Sequence, residues 1–318
     1  MTFLIQQTMI YAVPLMIVAL AGVFAERSGI INLALEGIMI LGAFIGVLFV
    51  NIMQTNHVYD AAKAAGDWVA LQGFELLAML VAAIFGAIFS LLLSFASVNL
   101  RADQTIGGTA LNLLSTAIAL VVAKRYNGSQ SAKLSYDNSP FIFQIGGLTV
   151  NVFLIIGLVL LAISIVLLYK TRFGLRLQAC GEHPQAAGSV GINVYKMRWA
   201  GVLISGFLAG IGGFAYIVPA VQTWNFEVGV AGMGFLALAV MIFGQWKPGK
   251  IALAAIFFAI FKSLANIYDS IGWLSALHLT KELYNMMPFA ASMVILAFTS
   301  KRSRAPKAEG IPYDKGQR

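Results

Sequence analysis

Residues 154–168 read Leu154-Ile155-Ile156-Gly157-Leu158-Val159-Leu160-Leu161-Ala162-Ile163-Ser164-Ile165-Val166-Leu167-Leu168, fifteen positions without one charge. With Val152, Phe153 and Tyr169 the run is long enough to cross a bilayer core of about 30 Å as one helix. The rest of the chain has the same character. Of 318 residues 59% are hydrophobic and only 11% are charged, with a mean hydropathy of +0.84. A soluble domain carries about 25% charged residues, so too few charges remain here to cover a water-facing surface. The fold class this predicts is all-α, a polytopic membrane bundle. About nine crossings are expected, near 8–24, 33–50, 74–98, 105–123, 150–169, 199–220, 230–244, 251–267 and 283–299. The seventh is short and Gly-rich and reads as a broken or re-entrant piece. No positive charge precedes the first apolar run, so no signal peptide is expected.

Working outward, Lys170, Arg172 and Arg176 follow the quoted run at once. Cations collect on the cytosolic side of membrane proteins. Threading the crossings from an external N-terminus puts Arg27, Arg101, the 170–198 cations, Lys247, Lys250 and the tail cations inside. Only Lys63, Lys124, Arg125, Lys133 and Lys281 are then outside. The net charge of +8 is accordingly read as membrane orientation, and no nucleic-acid partner is expected. A membrane-spanning domain is expected over 1–299 and a basic cytosolic tail over 300–318, the tail without fixed structure. Cys180 is the single cysteine, and His57, His183 and His278 are widely separated. No disulfide, metal site or cofactor is therefore expected, and no nucleophile–base pair marks an enzyme. Gly244-Gln245-Trp246-Lys247-Pro248-Gly249-Lys250 imitates a nucleotide-binding loop, but Ile251 stands where the hydroxyl residue is needed. No other nucleotide-binding signature is found in the sequence.

The segment Leu175-Arg176-Leu177-Gln178-Ala179-Cys180-Gly181-Glu182-His183-Pro184-Gln185-Ala186-Ala187-Gly188-Ser189-Val190-Gly191-Ile192-Asn193 lies on the expected cytosolic side. Gly181 and Gly191 bracket a stretch that can form a short helix, with Pro184 suited to its first turn. Spacing alone leaves two readings open, an ordinary linker and a docking helix whose small residues seat in a partner's groove. The stretch resembles the coupling loop of ABC importer permeases of the branched-chain amino acid, ribose and nucleoside group, through Gly181 to Ala187, Gly191 to Val194, Lys196 and Arg198. Glu26-Arg27-Ser28-Gly29-Ile30-Ile31-Asn32-Leu33-Ala34-Leu35-Glu36-Gly37 is similar to the nucleoside-type branch of that group. So are Asp103 to Asn112, Gly229 to Phe235 and Ile242 to Pro248. The closest likeness is to the shorter permease of nucleoside systems served by a lipoprotein receptor.

The resemblance implies that Gly181, Glu182, His183, Pro184, Ala187, Gly188 and Gly191 dock on a cytosolic ATPase subunit. It also implies a second, non-identical permease and an external substrate-binding lipoprotein that delivers a nucleoside. Ribose or another simple sugar, or a branched-chain amino acid, is the alternative cargo, and an ion-coupled secondary transporter is the alternative class. Asn32, Glu36 and Asn112 are polar in apolar surroundings, which are costly positions. They read either as lining the substrate path or as interhelical hydrogen bonds. Trp224 and Phe226 could stack on a ring of the cargo or anchor at the interface. Gly42-Ala43-Phe44-Ile45-Gly46 and Gly206-Phe207-Leu208-Ala209-Gly210 predict close helix contacts. Lys262 lies mid-run, where pairing with an acid, snorkelling or a misplaced boundary would explain it.

Overall fold

The computed structural model describes residues 2–128, 131–145, 148–268, 280–299 and 305–316. Lys301, Arg302, Arg304, Arg318 and His278 lie outside the described residues. Helix α1 (Thr2–Glu26) is the hub of the bundle, packed by α9 (Val194–Ile217), α10 (Met233–Phe243), α11 (Pro248–Ile267) and α6 (Phe153–Lys170). It stops where Gly29 adopts φ +94 and two backbone bonds close the end, Gly29 N–H to Glu26 O and Ile30 N–H to Ala25 O. That is the glycine-dependent helix ending that satisfies the last carbonyls. After a non-helical connector, α2 (Leu35–Thr55) runs back, followed by the short α3 (Asp60–Ala65) and the long α4 (Trp68–Ser94). Asp103 accepts the N–H groups of Thr105 and Ile106 and so starts α5 (Gln104–Tyr126), as N-cap carboxylates do. The remaining helices are α7 (Arg172–Glu182), α8 (Pro184–Ser189) and α12 (Lys281–Thr299).

Seven described helices are long and apolar enough to cross a membrane, and α10, at 11 residues, is the short one. The seventh expected crossing is thus a half-helix, in keeping with its low length and high glycine content. Helix α12 sits where the ninth was expected. Both predicted glycine pairs are contact points. A Cβ on Gly42 would lie 2.6 Å from the Cα of Gly210, and one on Gly86 would lie 2.6 Å from the carbonyl oxygen of Gly206. In lipid, packing of this kind replaces the hydrophobic drive between helices. Helices α5 and α6 turn Leu113, Val121, Ile155, Leu158, Val159 and Val166 outward, where hydrocarbon covers them.

On the N-terminal face residues 133–145, 148–151 and 223–225 contribute to a cap. Strand β1 (Lys133–Ser135) pairs antiparallel with β4 (Thr223–Asn225), and β2 (Ile142–Ile145) pairs with β3 (Leu148–Asn151). Lys63 reaches Asp137 at 2.7 Å, and Gln54 bonds the backbone of Asp137 in both directions. Burial opposes ionisation of Asp137, but Lys63 and Ser139 outweigh it and hold the carboxyl below the usual range.

The structure departs from expectation at two places. The tail was expected to lack fixed structure, yet residues 305–316 lie against α7, α9 and the 27–34 connector, with Ala308 and Tyr313 buried. Composition made the tail read as basic and polar, but Ala308 and Tyr313 are buried against the bundle, and the Ala308 N–H, the Gly310 N–H and the Ile311 carbonyl bond to it in ways that no local pattern announces. Lys262 does not snorkel: it is buried inside α11 and has an interaction partner.

Candidate functional site

Helices α7 and α8 form the outermost layer of the face that also bears the ends of α1 and α6. Thr171 caps α7 by accepting the Gly174 N–H, and Pro184 occupies the first turn of α8. The chain leaves α8 through Gly191 at φ +85, with Gly191 N–H on Gly188 O and Ile192 N–H on Ala187 O. This is the same glycine-dependent ending as at Gly29. The seven residues expected to couple divide into two sets. Gly181, Pro184 and Ala187 are buried, Glu182 and Gly188 are half-buried, and His183 and Gly191 are exposed.

Gly181 lies against the Arg27 carbonyl so closely that a side chain there has no room. Glu182 pairs with Arg27 at 3.4 Å in partly open surroundings, a contact worth about 1 kcal/mol at most. Ala187 joins Cys180, Val194 and Tyr313 in a small apolar cluster, where burial pushes the Cys180 thiol up to about 11. The outward surface is therefore His183, Gln185, Ala186, Ser189, Val190 and Gly191, with Val190 76% exposed. Gln185, Ser189 and Val190 were missed as candidates, because the sequence does not show which side of so short a helix is covered.

The second group lies deep in the bundle. Asn32 donates to Ser205 Oγ at 2.9 Å, eleven residues into α9, or about 16 Å at 1.5 Å per residue. Asn112 accepts the Gly37 N–H at 2.7 Å and donates to the Leu33 carbonyl at 2.9 Å, pinning the start of α2 to α5. Glu36 accepts the N–H groups of Gly232 and Gly234 at 2.9 and 2.6 Å. These lie at the first turn of α10, where unpaired donors and the helix dipole favour a carboxyl. Two helices thus begin inside the bundle and meet at one acidic side chain. All three polar residues have intramolecular partners.

Asn112→Ala is expected to strip an acceptor and a donor from buried backbone and to cost about 1–3 kcal/mol. It should appear as a lower melting temperature of the purified chain more than as altered cargo preference. An unchanged melting curve with altered preference would return Asn112 to the path.

Trp224 and Phe226 are buried, with ring centroids 4.5 Å apart, and Phe226 meets Phe44 edge-on at 4.9 Å. The Trp224 indole donates to the Gly229 carbonyl at 2.9 Å. In this conformation both rings pack within the fold and neither lies open for stacking. Tyr11, Tyr216 and Asn266 were missed. Tyr11 and Tyr216 have centroids 6.1 Å apart, and the Asn266 amide donates to the Tyr11 hydroxyl. Gln6, Gln7, Tyr11 and Asn151 line a cavity of about 150 Å³ on the same face. By contrast, a cavity of about 510 Å³ between α4, α6 and α9 offers Ser164 as its only polar side chain, and suits hydrocarbon. Nothing local in the sequence brings Tyr11, Tyr216 and Asn266 together, since they lie on three separate helices.

The family model described as branched-chain amino acid transport system / permease component matches residues 4–297. A guanosine ABC transporter permease protein, NupQ of Bacillus subtilis, is 38% identical, covering 100% of this chain and 98% of its own. A nucleoside ABC transporter permease protein, NupC of Lactococcus lactis, is 37% identical over 99% of this chain and 97% of its own. A putative glucose ABC transporter permease protein, TsgC13 of Haloferax volcanii, is 28% identical over 82% of this chain. No solved structure matches. With the match running through every spanning helix and the α7–α8 segment, this chain belongs to the branched-chain amino acid transport system / permease component family, as a transport subunit and not an enzyme.

Proposed function

We propose that the chain is one permease of an ATP-driven importer of nucleosides, with its N-terminus outside the cell and α7–α8 inside. Full-length similarity to permeases named for guanosine and nucleosides carries the choice of cargo. The charge pattern supports the orientation. Arg27, Arg101, Lys170, Arg172, Arg176, Lys196, Lys247 and Lys250 lie on the α7–α8 face, and cations favour the cytosolic side.

A cytosolic ATPase subunit grips the exposed side of α8. Because Gly181 rests on the backbone of Arg27, a push on α7–α8 reaches the end of α1 and the connector into α2. That connector leads to Asn32, Glu36 and the start of the half-helix α10, so the push reaches the buried junction that would open or close the path. Asn32, Glu36 and Asn112 act in this reading as the frame of the path more than as its lining. An external receptor lipoprotein delivers the cargo to the N-terminal face, where Gln6, Gln7 and Tyr11 supply donors and acceptors. A second, different permease completes the path. Lactococcus lactis has, beside NupC, a further nucleoside ABC transporter permease protein, NupB, whose match covers 36% of this chain.

Deleting the chain from its host should abolish uptake of radiolabelled guanosine at low external concentration. Unlabelled nucleosides should compete with that uptake in the parent strain, while glucose and leucine should not. Depleting ATP should stop it, and dissipating the proton gradient at constant ATP should leave it. Competition by glucose or leucine would shift the cargo to the alternative substrates. Loss on uncoupling alone would contradict an ATPase motor.

A further inference from the structure

Residues 305–314 cross the α7–α8 face as a strap touching four separate parts of the fold. Ala308 N–H donates to the Gly181 carbonyl at 2.8 Å, holding the end of α7. Gly310 N–H donates to the Gly29 carbonyl at 3.2 Å, holding the turn that ends α1. The buried Arg198 guanidinium donates to the Ile311 carbonyl at 2.9 Å, holding the second turn of α9. Asp314 meets Arg101 at 3.1 Å, before α5. Glu309 turns its carboxyl toward Glu26 at the end of α1, and burial lifts it to about 7 despite the nearby Arg27. Tyr313 ends in the coupling layer itself. Its ring meets Tyr195 at 5.3 Å, and its hydroxyl would lie 2.5 Å from a Cβ on Gly188.

We infer that this strap is a working part of the coupling layer, tying α8 to the α1–α2 connector so that movement of α8 reaches the helix ends around the path. The inference rests on the proposed ATPase docking at α8 and adds a second route to the direct Gly181–Arg27 contact. A strap serving only as a lid would need to cover polar groups. This one also props the underside of α8 through Tyr313 and grips Gly29, the residue on which the connector turns. Backbone hydrogen bonds to two elements transmit displacement because their lengths are nearly fixed. Coupling is carried by packed groups of this kind.

The test uses the full complex of both permeases, ATPase and receptor, reconstituted in vesicles. Nucleoside imported per ATP hydrolysed is compared for the intact chain, Tyr313→Ala, and a chain truncated after Pro306. Both variants should keep ATPase bound and hydrolysing, with the transport ratio lowered about tenfold, within the range for one step on a coupling route. Unchanged ratios in both variants would overturn the inference. So would loss of ATPase binding with the ratio preserved in the complexes that remain, since the strap would then be an anchor. Should the truncated chain fail to assemble, Tyr313→Ala decides alone, because it keeps the backbone bonds at Ala308 and Gly310. Absence of ATP-dependent uptake by the intact complex would strike the proposed function instead, and is read separately.

Discussion

Replacing Gly210 with valine is expected to remove most folded chain from the membrane. Helices α4 and α9 pack closely, and Gly210 is one of the points at which they touch. A Cβ there would overlap the Ala82 carbonyl oxygen and lie 3.1 Å from the Cα of Ala83. Those neighbours are backbone inside a helix, so no side chain can swing away. The helices would have to separate along α4 and also along α2, whose Gly42 meets Gly210 from the other side. Overpacking of this kind costs about 3 kcal/mol or more when the obstacle is rigid. That is a large share of the stability of an ordinary domain. Detergent-solubilised yield and melting temperature should both fall sharply. Gly73→Ala is the control, since a Cβ at that exposed helical position meets nothing within 4 Å. It should be neutral or slightly stabilising through helix propensity. Equal behaviour of the two variants would show that α4 and α9 are not in contact there.

Glu36→Ala is expected to be nearly as severe, for a different reason. It leaves the Gly232 and Gly234 N–H groups without acceptors inside the bundle, where water does not replace them readily. Each buried unpaired donor costs about 1–3 kcal/mol, and the start of α10 loses its only described side-chain tether to α2. Glu36→Gln keeps one acceptor oxygen but presents an amide NH₂ to a second donor. It should therefore fall between alanine and the parent in melting temperature. Nucleoside uptake per folded molecule should drop with both, because α10 would no longer start from a fixed point. Parent-like melting of Glu36→Ala would mean that α10 is held by other contacts.

The spans were legible because each is a local property, an apolar run of bilayer length. The half-length of α10 was legible too, since its run is short and rich in glycine. The coupling segment could be located from Gly181, Pro184 and Gly191, each of which marks a turn or helix start within a few residues. Its inward and outward sides were not legible. They depend on Tyr313 and Arg27, more than a hundred residues away in either direction. Glu36 fails to read as a helix cap for the same reason: Gly232 and Gly234 lie 196 and 198 residues further on. A polar residue in an apolar run says that a partner exists and does not say which. Trp224 and Phe226 read as stacking or interfacial aromatics, and their burial was not legible because β4 pairs with β1 across some ninety positions, as the Thr223–Ser135 register shows.

The account depends most on α8 presenting its open side to the cell interior, where an ATPase can hold it. Gln185 is exposed on that side, and Cys180 is buried. A chain carrying Cys180→Ser and Gln185→Cys can thus report the exposure of one position to a membrane-impermeant maleimide. The account predicts no labelling in intact cells, strong labelling in inside-out vesicles, and protection when purified ATPase subunit is added to those vesicles. Labelling of intact cells, with none in inside-out vesicles, would turn the chain over in the membrane and contradict the proposal at its root.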